Sequence, residues 1–78
     1  MKEQVITVLK KYTFNPAVWD NATNQSRIID DLKINSARVV DISLDIEEIF
    51  DITVEDDELE KLVTIQDILN LLEKKKGD

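Results

Sequence analysis

Apolar residues recur at helical spacing in three parts of the chain. Val5, Val8, Leu9 and Tyr12 fall at i, i+3, i+4 and i+7, which puts them on one face of a helix and predicts an amphipathic helix over residues 3 to 12. Pro16 stops any continuation, because its ring removes a backbone donor. Ile65, Ile68, Leu69 and Leu72 repeat the spacing behind Thr64, an N-cap residue with Asp67 at the third helical position. This helix runs into Lys74, Lys75 and Lys76, whose charge suits the negative end of a helix dipole. A third helix is expected from Asn35, whose side chain can cap the first turn, to Phe50. Asp56 to Glu60, acidic at its start and with Leu59 and Leu62 facing inward, reads as a short connecting helix. Residues 13 to 34 show no period, and Phe14, Val18, Trp19, Ile28, Ile29 and Leu32 are expected to pin that loop to the helices. The expected fold is all-α: a single domain over residues 1–78, a four-helix bundle of three longer helices and one short helix with a long first loop.

The helix after Asn35 carries two apolar stripes. At about 100° per residue, with Ala37 at zero, Val39, Ile42, Ile46, Ile49 and Phe50 lie between about 120° and 220° and form the expected core face. Ala37, Val40 and Leu44 lie on the opposite side, so they cannot reach the same core. Asp41, Glu47 and Glu48 flank this second stripe. An apolar strip rimmed by carboxylates suits partner recognition, the aliphatic side chains supplying contact area and the charges supplying steering. Scattered surface aliphatics are the plainer reading.

Composition narrows the chemistry. The 78 residues contain no cysteine and no histidine, so thiolate chemistry, disulfides and the usual general base are all missing. The net charge of −7 opposes binding to phosphate backbones, and no nucleic acid is expected as a partner. Negative charge is concentrated in one segment: residues 36 to 72 hold two Lys/Arg against eleven Asp/Glu, whereas residues 1 to 35 hold five against four. That segment is either a solvated face or a docking face for basic partners. No apolar run is long enough for a membrane span, and the start MKEQVITVLKKY lacks the apolar core of a signal peptide, so a cytoplasmic monomer is expected.

Two serines stand in the third helical segment. Ser36 lies at its head, at the open end of the second stripe, where free N–H groups and the helix dipole favour an anionic group. Ser43, at about 240°, borders the core and is expected to bond a backbone carbonyl one turn back. A serine hydrolase is excluded by the missing histidine and the absence of a Gly-x-Ser-x-Gly elbow. Asp51 to Glu60 lacks the central glycine of a calcium loop, which leaves at most weak surface binding of divalent cations.

With Asn35-Ser36-Ala37 at the head of an acidic helix, the chain resembles the acyl carrier protein family, in which an Asp-Ser-Leu motif follows Asp-Leu-Gly and precedes a helix ending Glu-Glu-x-Phe. The corresponding residues are Asp31-Leu32-Lys33-Ile34-Asn35-Ser36-Ala37 and Glu47-Glu48-Ile49-Phe50, and the similarity continues through Glu58-Leu59-Glu60-Lys61-Leu62 and Thr64-Ile65-Gln66-Asp67. The resemblance implies a carrier, not an enzyme. Ser36 would bear 4′-phosphopantetheine, added by a phosphopantetheinyl transferase, and the thiol of that arm would hold acyl groups as thioesters. The partners implied are acyl-transferring or acyl-modifying enzymes of fatty-acid, lipid or polyketide-type synthesis with basic docking patches, meeting Ala37, Arg38, Val40, Asp41, Leu44, Glu47 and Glu48. By position, Ile28, Ile46, Val54, Leu62 and Ile68 would line an acyl pocket, or simply pack the core. An unmodified acidic helical interaction module is the alternative.

Four positions depart from the pattern: Lys33 for glycine, Asn35 for aspartate, Ala37 for leucine and Arg38 for an acid. Arg38, and with it Lys33, is expected to approach the phosphodiester of the arm. Partners that need acid near the serine should bind less well, which points to a specialised carrier.

Overall fold

In the computed structural model, which describes residues 1–76, burial follows the predicted helical faces. Helix α1 spans Lys2–Tyr12, α2 Val39–Phe50, α3 Asp56–Leu59 and α4 Ile65–Lys76, with single 3-10 turns at Pro16–Trp19 and Ser36–Arg38. Helix α1 packs on α2 and α4, and α3 packs on α2. Val5, Val8 and Leu9 of α1 meet Ile42, Ile46 and Phe50 of α2 and Ile65, Ile68, Leu69, Leu71 and Leu72 of α4 in one core, closed by Ile28, Leu32, Ile34 and Leu62. Three longer helices and one short one form an all-helical bundle, with no strand among the described residues.

The helix ends follow local chemistry. The Asn35 side chain accepts from the Ala37 N–H at 2.9 Å, which begins the Ser36–Arg38 turn that leads into α2. At α4, Thr64 Oγ1 accepts from the Asp67 N–H at 3.1 Å while the Asp67 carboxylate accepts from the Thr64 N–H at 2.9 Å, a reciprocal cap. Helix α2 stops at Asp51, whose left-handed backbone (φ 54°) lets its N–H reach the Glu47 carbonyl. The terminal lysines act between helices. Lys76 Nζ donates to the Phe50 carbonyl at 2.9 Å and so caps α2, and Lys75 and Lys74 lie 2.8 and 3.4 Å from the carboxylate of Glu58 on α3.

Three expectations need correction. Phe14 is 93% exposed and Ile29 also faces solvent, so neither pins the first loop. The loop is held instead by a backbone zip against the start of α4: the Ile28 N–H donates to the Val63 carbonyl at 2.8 Å, Ile65 to Ser26 at 3.2 Å and Gln66 to Asn24 at 2.8 Å. Ile34, absent from the expected anchors, is buried there. Ile49 is 46% exposed. Ser43 is buried beside Ile42, Ile46 and Phe50, so the core face of α2 is turned toward the serine and Ile49 falls on its margin. Trp19 packs partly buried against the core with Lys10 Nζ 5.7 Å from its ring centre, and its indole N–H is buried without a partner.

Candidate functional site

Ser36 is exposed at the head of the α2 segment, and its hydroxyl makes no hydrogen bond among the described residues. Ser43 is spent: its hydroxyl donates to the Val40 carbonyl at 2.7 Å in a nearly closed environment. Ser26 is occupied too, its oxygen accepting from the Thr23 N–H at 2.8 Å. Among the described residues, Ser36 is the exposed serine, and its hydroxyl is in no hydrogen bond, whereas the oxygens of Ser26 and Ser43 each take part in one.

The first-turn donors beside Ser36 are used locally. The Ala37 N–H goes to the Asn35 side chain, and the Arg38 N–H goes to the Asn35 carbonyl at 2.8 Å. Positive potential at this end therefore comes mainly from side chains. Arg38 pairs with Asp41 at 3.0 Å, one turn along the helix, and Lys33 forms no ion pair among the described residues. Lys33 also holds left-handed backbone, φ 58°, at the position where the resemblance places glycine.

The second stripe of α2 lies in solvent as its phase predicts: Val40 is 51% and Leu44 55% exposed, with Ala37 exposed beside them. Its acidic rim is thinner than the residue count suggests. Glu48 is exposed, but Asp41 holds Arg38, and the Glu47 carboxylate turns to the α2–α3 loop, where it accepts from the Val54 N–H at 2.7 Å.

Asp45 joins α1 to α2. It accepts from the Tyr12 hydroxyl at 2.6 Å and pairs with Lys11 at 2.9 Å. Those two hydrogen bonds, the tyrosine's first, hold its carboxyl below the ordinary carboxylate value, and the same bond raises the Tyr12 phenol. Tyr12 closes the α1 stripe, but its pairing with Asp45 becomes visible only where α1 and α2 meet in the fold.

Ile28, Ile46, Leu62 and Ile68 lie within the packed core, and Val54 packs partly buried against it. Leu62 also lines an opening of about 260 Å³ beside Ile29, Val39, Leu59 and Val63, with Arg27, Asp30 and Glu60 on its lining. A larger depression lies beside Asn35 and Arg38. It is a cleft of about 680 Å³ between the end of α1 and the approach to α2, where Lys11, Lys33 and Arg38 face Phe14 and Ile29.

No family model matches the chain. Curated proteins do. The acyl carrier protein of Thermotoga maritima is 42% identical over 55 residues, covering 70% of this chain and 68% of that protein. The acyl carrier protein of Campylobacter concisus is 46% identical over 50 residues, 64% of this chain and 65% of its own length. That of Petrotoga mobilis is 39% identical over 56 residues, with 72% and 66% covered.

Proposed function

Because this chain belongs to the acyl carrier protein family, we propose that it carries acyl groups as thioesters on a 4′-phosphopantetheine arm attached to Ser36. The observation that carries the reading is the Ser36 hydroxyl, exposed and unbonded at the head of α2 while the other two serines are engaged. The site suits such a group chemically: the hydroxyl is open to a transferase, and Lys33 and Arg38 stand nearby to offset a phosphodiester's charge. When attached, the arm supplies the thiol that the polypeptide lacks. The chain's own residues position the serine and present the strip of Ala37, Val40 and Leu44, with Glu48, to basic patches on partner enzymes of fatty-acid, lipid or polyketide-type synthesis.

Intact-protein mass after treatment with coenzyme A and a phosphopantetheinyl transferase tests this. The wild type and Ser43→Ala should gain one arm, and Ser36→Ala should gain none. An unchanged wild-type mass would leave an unmodified acidic interaction module as the reading.

The charge around Ser36 supports a restricted partner set. With Asn35 neutral, Arg38 cationic and Asp41 engaged by it, a basic partner meets little acid next to the serine. Loading by a general transferase and transfer by a general ketosynthase should therefore both be slower for this chain than for Asn35→Asp/Arg38→Asp. Equal rates would remove the idea of a specialised carrier.

A further inference from the structure

We infer that the cleft beside Ser36 is a berth for the arm itself: its phosphodiester lies between Lys33 and Arg38, and the apolar part of its pantetheine chain rests on Phe14 and Ile29. The inference deepens the carrier reading above and rests on it.

Position comes first. Asn35, the residue before Ser36, and Arg38, two residues after it, both line the cleft, so an arm hung on the exposed serine starts within reach of it. Its volume of about 680 Å³ lies within the range of small-molecule sites, about 300 to 1,000 Å³.

Charge selects the occupant. In a chain of net charge −7, the cleft is lined by Lys11, Lys33 and Arg38 and by no carboxylate. Asp41 and Asp45 hold Arg38 and Lys11 from the α2 side, yet both cations stay more than half exposed. A guanidinium has five N–H donors, so Arg38 can keep Asp41 and still donate to a phosphodiester. The neighbouring opening at Leu62 has Asp30 and Glu60 on its lining with a single cation, Arg27, already paired with Asp30, so it suits the same anion less well.

Apolar surface completes the fit. Phe14 is 93% exposed beside the cations, with exposed Ile29 across the cleft, so both can lose contact with water without disturbing the core. The geminal methyl groups next to the phosphate end of pantetheine are the part of the arm that can cover them.

The test uses the full chain, loaded enzymatically and checked by mass. Comparison of 15N-edited spectra before and after loading should show shifts at Lys11, Phe14, Ile29, Lys33 and Arg38. Nuclear Overhauser contacts should join the arm's geminal methyl protons to the Phe14 ring. In about 1 M salt, where the screening length falls to about 3 Å, the shifts should collapse toward the unloaded values. Lys33→Gln/Arg38→Gln should do the same, and Phe14→Ala should lose the shifts at Ile29 while still gaining the arm. Each variant's spectral dispersion reports whether it is folded. Shifts confined to Ser36 and its immediate neighbours, or contacts to Val54, Leu62 or Ile68 instead, would overturn the berth while leaving the carrier intact. Failure to gain the arm at all would overturn both.

Discussion

Among the described residues, Lys33 and Asp51 hold left-handed backbone, at φ 58° and 54°, where a side chain costs about 1 to 2 kcal/mol relative to right-handed conformations. Glycine avoids that cost at the price of a more flexible unfolded chain. Asp51 carries a second burden, since its carboxylate sits at the negative end of α2. Asp51→Gly should therefore raise stability by about 1 kcal/mol, seen as a higher urea midpoint with an unchanged slope, whereas Asp51→Val should lower it. Lys33 was legible only as a departure from a pattern; the left-handed turn between Leu32 and Ile34 gives the physical reason a glycine suits that place. That Ser36 heads the α2 segment in solvent while Ser43 is buried was legible for a similar local reason, because Asn35 is a strong cap and Ser43 falls at the core margin. No pattern of single residues could reveal that Asp45 would be claimed by Tyr12 and Lys11 from another helix.

At the scale of elements, α2 turns one apolar face to the core and another to solvent, so the proposed docking role and stability should respond to different substitutions. Val40→Ala and Leu44→Ala should change stability by no more than about 0.5 kcal/mol, because both positions are exposed. They should nevertheless slow arm attachment severalfold, as expected from losing about 1 kcal/mol of interface contact. Ile46→Ala, on the buried face, should cost about 2 to 5 kcal/mol in the same unfolding assay. Both faces could be read from phase alone; Ile49 could not, because it lies on the boundary and the tilt against α1 and α4 decides its side. Helix α3 is held differently. Lys75 first, then the backbone N–H of Glu55 and Lys74, hold the Glu58 carboxyl down at about 2, against an ordinary value of 4.5. A depressed carboxyl stabilises the fold above the ordinary value and loses that contribution as pH falls through the folded one. The melting-temperature gap between wild type and Glu58→Gln should be full at neutral pH, begin to close below about 4.5 and be nearly closed by about 2. Charge in the last turn of α4 suggested only a dipole partner, since nothing in a linear pattern says which helix ends will meet in space.

At the scale of the molecule, the order of the four helices was legible because each is set by its own periodicity and caps, although the segment expected as one helix from Asn35 opens with a 3-10 turn at Ser36–Arg38 and becomes α-helical only at Val39. The path of residues 13 to 34 was not, because it depends on backbone pairing between distant segments, and backbone groups leave no mark in the side-chain pattern. If that zip holds the loop, the amide protons of Ile28 and Gln66 should exchange with solvent nearly as slowly as those of central α4 residues such as Ile68. Exchange as fast as in an unstructured peptide would mean that the loop opens independently of the helices.

Trp19, the sole tryptophan, sits on that loop. Its emission is thus an intrinsic optical reporter of loop detachment, separable from ellipticity, which reports the helices. Recording both during one denaturant titration would reveal, without any dye, whether this protein melts as a unit or sheds its first connection early.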